Sequence, residues 1–199
     1  MKTLLVLLTL PLALSGQKQL GGPCECCEAI YQQMPEKLFW ATQISDGNEA
    51  GEPMEISGVI YKNDGKTPAA NVILYVYHTD YEGKYSRGTG EDCARRHGKL
   101  RGWMKTDEQG RYKFSSIRPA SYPASNIPAH IHPVVKEPNK KEYYLDEYRF
   151  SDDKFLTKAE MAKDENRGGS GVIKLTKNEK GVWVGKRDII LGRNIPNYE

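Results

Sequence analysis

The chain has 199 residues, with 29 Lys and Arg against 26 Asp and Glu, for a formal net charge of +3. That length suits one compact domain, at roughly 100–200 residues per domain, and 38% hydrophobic with 10% aromatic residues exclude a largely disordered chain. Acidic and basic residues interleave with no block of consecutive Lys or Arg, which excludes a protein built mainly to bind nucleic acid.

In chain order, Lys2, the apolar run Leu4 to Leu14 and the small pair Ser15-Gly16 predict a secretory signal over 1–16. The run is shorter than the roughly 20 residues that span a bilayer, so the expectation is export, to a periplasm or outside the cell, with no membrane span. Residues 17–53 read as a leader and a cysteine-rich tether, with a short helix near Cys26 to Met34 and a polar loop from Ile44 to Pro53. Four cysteines, Cys24, Cys26, Cys27 and Cys93, predict disulfides in an exported chain. One of the cluster is expected to reach Cys93, with the choice left open. A zinc site lacks the second C-x-x-C or H-x-x-x-H it would need.

From Met54 the texture changes to short β-rich runs punctuated by turn residues. Strands are expected at Met54 to Lys62, Asn71 to His78, Leu100 to Thr106, Arg111 to Ile117, Ala129 to Val135, Tyr143 to Phe150, Val172 to Leu175 and Val182 to Leu191. Asn71 to His78 is apolar on both alternating faces, as for a strand between two layers. Asp107 to Gly110 reads as a hairpin connection, and Thr157-Lys-Ala-Glu160 as the capping box of the only other short helix. Trp103 and Trp183 are expected in the core and Trp40 against the N-terminal segment. Tyr143, Tyr144 and Tyr148 read as strand packing, and Lys174 to Lys186 as a charged hairpin surface. The whole predicts an all-β domain over 54–199, a β-sandwich with long loops and one or two short helices.

The sharpest chemical signal is Pro128-Ala-His-Ile-His132. On a strand, His130 and His132 project from one face while Ile131 points the other way. Neutral imidazoles so placed suit Zn, Cu, Fe or Ni; the alternative is two surface histidines. His78 and His97 have no partner at ligand spacing and read as a core-edge and a loop histidine. Among 12 tyrosines, Tyr85 and Tyr122 fall in loops or strand ends rather than in core alternation. A free phenol has a pKa of about 10, so a hard trivalent cation is needed to keep it ionised at neutral pH. Two phenolates and two imidazoles around Fe(3+) leave room for hydroxide or a substrate; each tyrosine taken alone reads as ordinary packing.

These segments, in order from about Ile56 to Asp153, resemble the intradiol ring-cleavage dioxygenases, the family of catechol and protocatechuate dioxygenases. Gly58-Val59, Pro68 and Asn71-Val72 resemble its opening strands. Tyr77-His-Thr-Asp-Tyr-Glu-Gly-Lys-Tyr85 resembles the segment bearing its first tyrosine ligand, and Arg101 to Tyr112 with Phe114 the hairpin that follows. Ile117-Arg-Pro-Ala-Ser-Tyr122 resembles the segment of the second tyrosine, and Pro128 to His132 that of the paired histidines. The resemblance implies that Tyr85, Tyr122, His130 and His132 bind ferric iron and form the catalytic centre. It also implies an aromatic diol and O2 as partners, ring opening between the two hydroxyl carbons, and no diffusible organic cofactor. Family members are often homo-oligomers. Two positions depart from the pattern: Ile127 stands where the family carries an arginine, with Arg101 and Arg118 as candidates to replace it, and Glu147 stands where it carries a glutamine. Two other readings predict different chemistry: a non-catalytic exported β-sandwich of the transthyretin type, and a relative that binds iron or catechols without turnover.

Overall fold

A computed structural model describes residues 19–199, and the expected signal segment lies outside the described residues. A 3-10 helix, Cys27–Tyr31, and strand β1, Ala41–Gln43, precede β2, Pro53–Tyr61. Then come β3 (Ile73–His78), helix α1 (Asp92–Arg96), β4 (Arg101–Lys105), β5 (Arg111–Ile117) and β6 (His130–Lys136). The chain continues through β7 (Tyr143–Tyr144), β8 (Tyr148–Phe150), helix α2 (Lys158–Met161) and β9 (Val172–Ile173). It closes with β10 (Thr176–Lys177), β11 (Trp183–Lys186) and β12 (Ile189–Ile190). No helix among the described residues is long and apolar enough to cross a membrane.

The strands form two sheets, ordered β1-β5-β2-β11-β10 and β4-β3-β6-β8-β9, with β12 also on β2 and β7 also on β6. Alternation along β2 sends Met54, Ile56 and Ile60 inward, where Tyr112 and Phe114 of β5 meet Leu74, Val76, Ile131, Val135, Tyr148 and Phe150 from the facing sheet. The expected all-β sandwich is therefore the observed fold. The double apolar pattern of β3 has a structural cause: Leu74 and Val76 enter this core, while Tyr75 on the opposite face enters a second one. That second core is built by the N-terminal segment. Cys27, Ala29 and Ile30 pack on Tyr75, Trp103 and Val134, and the Trp103 indole N–H donates to the Ile30 carbonyl at 2.6 Å. Trp103, rather than Trp40, is thus the tryptophan whose ring anchors the segment; Trp40 lies under the Arg111 guanidinium. Disulfides Cys24–Cys27 and Cys26–Cys93 complete the attachment and leave no free cysteine among the described residues.

Several sequence expectations need correction. Asp107 to Gly110 is not a hairpin, because β4 pairs with β3 in one sheet and β5 with β2 in the other. The Asp107 carboxylate accepts from the Gln109 and Arg111 amides and from the Arg111 side chain, fixing a tight corner between layers. Tyr143 to Phe150 is two strands, interrupted where the Asp146 carbonyl accepts from buried Arg187. Val182 to Leu191 likewise breaks at Arg187, whose carbonyl lies against Gly58 where a Cβ would fall 1.8 Å away. Helix α2 forms with Thr157 accepting from the Glu160 amide, but α1 is a second helix that the sequence reading did not anticipate.

Candidate metal centre

The centre sits on the face of β6 turned away from the sandwich core. Ile131 is fully buried in that core, so alternation turns His130 and His132 to the opposite face. Just before the strand, the Asp153 carboxylate accepts from the Ala129 amide at 2.8 Å and pins the approach. Two loops bring the phenols. After β3 the Asp80 carboxylate accepts from the Glu82 and Lys84 amides, both at 2.9 Å, and Gly83 takes φ +78 to close the turn before Tyr85. This turn abuts the loop after β5: the Thr79 hydroxyl donates to the Ala120 carbonyl, and a Cβ on Gly83 would fall 1.9 Å from the Ser121 carbonyl oxygen. Only glycine permits both that φ and that approach.

All four sequence-predicted site residues come together. The Tyr85 and Tyr122 hydroxyls lie 3.0 Å apart, Tyr122 is 3.2 Å from His130 Nε2, and His130 Nε2 is 3.0 Å from His132 Nε2. Neighbouring ligand atoms around one ion with bonds of about 2.0–2.1 Å are spaced roughly 3 Å apart. His130 Nδ1 is 2.7 Å from the Pro128 carbonyl, an acceptor only, which assigns the proton to Nδ1 and the lone pair to Nε2. His132 Nδ1 stands 3.7 Å from a Glu147 carboxylate oxygen, which favours the same tautomer there. Two nitrogen lone pairs then face one point at 3.0 Å, an arrangement that a cation between them relieves. The donor set fits a metal ion.

Electrostatics narrow the choice of ion. Burial, the Tyr122 hydrogen bond and the neighbouring phenols hold the Tyr85 hydroxyl well above the usual phenol range. Burial and the adjacent His130 hold His132 well below the usual imidazole range, so it is neutral at pH 7. A phenol this hard to ionise becomes a ligand only for a strongly polarising cation.

Residues outside the expected set shape the surroundings. Tyr77 lies directly opposite His132 in the β3–β6 register, and their rings stack at 4.6 Å. His97 stacks on the other face of the cluster, 3.5 Å from Tyr77 and nearly parallel, and its Nδ1 is 3.0 Å from the Tyr75 hydroxyl. It is therefore a buried wall of the site rather than a loop histidine. His78 is buried between the Thr79 carbonyl and the Ser116 hydroxyl, in keeping with its core-edge reading. An open pocket of about 490 Å³ covers Tyr85, Tyr122 and His132, with Arg96, His97 and Glu25 on its far side. Arg101 and Arg118 do not line this pocket: Arg101 lies over Trp103 and Arg118 over Trp183. Ile127 is half exposed. Only strand register and the tether fold bring Tyr77, His97, Arg96 and Glu25 here, and no spacing in the sequence carries that.

A family model described as Dioxygenase matches residues 30–182, well over half of the chain. The chain belongs to the intradiol ring-cleavage dioxygenase family. It is 30% identical over 112 residues to catechol 1,2-dioxygenase 2 of Acinetobacter lwoffii, covering 48% of this chain and 39% of that protein. It spans less than half the length of the curated relatives it matches. Among solved structures, the dioxygenase domain of a dioxygenase–carbohydrate-binding protein fusion from Streptomyces sp. SirexAA-E superposes with TM-score 0.57 at 19% identity, covering 80% of this chain and 96% of that one. Catechol 1,2-dioxygenase from Acinetobacter sp. ADP1 gives TM-score 0.58 at 21% identity, covering 78% and 57%. These likenesses place the family's sandwich on this chain.

Proposed function

We propose that the protein is an exported, iron(III)-dependent dioxygenase that opens the ring of a catechol-type aromatic between its two hydroxyl carbons using O2. The observation that carries this reading is the convergence of two phenol and two imidazole donors, each 3.0–3.2 Å from the next. Tyr85, Tyr122, His130 and His132 would hold the ion. When bound, ferric iron would supply the Lewis acidity that ionises an ortho-diphenol and makes its ring susceptible to O2.

The chain's own groups do the rest. Pro128 fixes the His130 tautomer, and Tyr77 fixes the plane of His132 by stacking, so both Nε2 atoms are aimed before metal arrives. As ligands Tyr85 and Tyr122 would each give up a hydroxyl proton, so affinity for iron should rise with pH. The stacked pair Tyr77 and His97 closes one side of the pocket against water. Arg96 lines the pocket and bears a positive charge beside Glu25.

A second reading, binding of iron or catechol without turnover, is favoured by Ile127 standing where the family carries an arginine, with neither Arg101 nor Arg118 lining the pocket. One experiment separates the two. The ferric-loaded protein is expected to show a broad visible phenolate-to-iron band that moves to longer wavelength when catechol is added anaerobically. Admission of O2 should then consume oxygen and bleach the complex to a ring-opened dicarboxylic acid. A stable coloured complex that takes up no O2 would support the binder, and a colourless protein that holds no stoichiometric iron would sink both.

A further inference from the structure

The pocket over the phenols does not end at the ligands. A second pocket, of about 210 Å³, shares Tyr77, His132 and Glu25 with it, so two lobes meet at the His132 ring. The second lobe runs between the start of the tether and the sheet, walled by Pro23, Val134, Tyr144 and Leu145. Its charged lining groups are the carboxylates of Glu25 and Glu147; no Lys or Arg lines it among the described residues. Arg96, the cation of the first lobe, is already engaged by Glu25 at 2.5 Å.

Resting on the ring-cleavage reading, the geometry points to a substrate that is an ortho-diphenol carrying an uncharged ring substituent. The diol lies beside Tyr85 and Tyr122, the substituent enters the second lobe, and the disulfide-held segment Pro23–Glu25 is the wall that selects it. The lobe is lined by the ring of a candidate metal ligand, His132, so a group on an aromatic ring bound beside that ligand is directed toward it. A carboxylated substituent would meet the carboxylates of Glu25 and Glu147 with no Lys or Arg lining the lobe to offset them, whereas an uncharged one meets no such repulsion. An uncharged alkyl group meets Pro23, Val134 and Leu145 and gains from leaving water. Selectivity then comes from the tether, a part of the chain remote in sequence from all four ligands.

The test is an anaerobic titration of the ferric-loaded full chain with catechol, 4-ethylcatechol and 3,4-dihydroxybenzoate, each dissociation constant being read by calorimetry and by visible absorption. The ethyl group is expected to tighten binding about tenfold over catechol, and the carboxylate to bind about tenfold or more weakly than 4-ethylcatechol. Pro23→Trp, at an exposed position, should fill the lobe and erase the ethyl advantage over catechol. Glu25→Gln should narrow the gap between the two substituted diols by about threefold. Equal constants for the three diols in the unmodified chain overturn the inference, as does an ethyl preference that survives in folded Pro23→Trp. If Pro23→Trp fails to fold, the unmodified chain and Glu25→Gln decide the matter. Failure of catechol itself to bind or move the band overturns the iron reading, and this inference with it.

Discussion

At the scale of single residues, the centre depends on a few atoms that nothing else in the fold requires. Among the described residues, the Tyr85 and Tyr122 hydroxyls bond only to each other and to His130. Tyr85→Phe or Tyr122→Phe should therefore leave the sandwich folded yet cut ferric iron affinity by at least about 100-fold, as measured by competition with a chelator. Tyr148→Phe, in the core and bonded to Tyr112, is the control: it should lose stability, by about 1 kcal/mol, and no iron affinity. A tyrosine ligand variant that binds iron like this control would count against the site. Gly83 is the second sensitive point, because a Cβ there meets the Ser121 carbonyl and φ is +78. Gly83→Ala should destabilise the fold by at least about 2 kcal/mol in denaturant titration and weaken iron binding by separating the two phenol loops. The paired histidines were legible in the sequence because strand alternation alone puts them on one face. Tyr77 and His97 were not, because their nearness follows from which strand lies beside which.

At the scale of elements, the sequence carries turn chemistry more clearly than it carries partnership. Asp107 to Gly110 has the residues of a tight turn and makes one, yet the strands on either side belong to different sheets. Strand β1 is only three residues long and too short for an alternation pattern, but it pairs with β5 and covers that edge. Arg187 interrupts an apolar run by burying a guanidinium on backbone carbonyls, a role its sequence neighbours do not announce. The N-terminal segment shows the same limit: an even number of cysteines predicted disulfides, and only the fold shows which sulfurs meet. Their pairings have unequal weight. Cys26–Cys93 spans 67 positions and Cys24–Cys27 three, so chain entropy assigns roughly 4 kcal/mol at most to the first and under about 2 kcal/mol to the second. Thermal unfolding of the Cys26→Ser/Cys93→Ser and Cys24→Ser/Cys27→Ser proteins should show the larger loss in the first; equal losses would mean that native packing, not loop closure, governs the segment.

At the scale of the whole molecule, buried imidazoles tie stability to pH, His78 and His97 among them away from the candidate ligands. Burial lowers His78 from 6.5 to about 4, and burial with nearby Arg101 and Arg96 lowers His97 to about 4. Between those values the unfolded chain binds more protons than the folded one. The contribution is thus fully present above about pH 6.5 and is lost as pH falls toward 4, on the order of 3 kcal/mol for each ring. Melting temperature should drop across that window, and His97→Phe, which keeps a ring against Tyr77, should make the drop shallower; an unchanged slope would show that His97 ionises freely in the native state. The metal-free chain is the one to use, since iron would add its own pH dependence. The tether has one further consequence. All four candidate ligands belong to the sandwich, whereas one wall of the cleft belongs to a segment held from outside it, by packing on Tyr75 and Trp103 and by the link to Cys93. A chain kept reduced would therefore keep all four candidate ligands and lose one of the holds on the chamber around them, so thiol chemistry bears on the vessel and not on the ion it would contain.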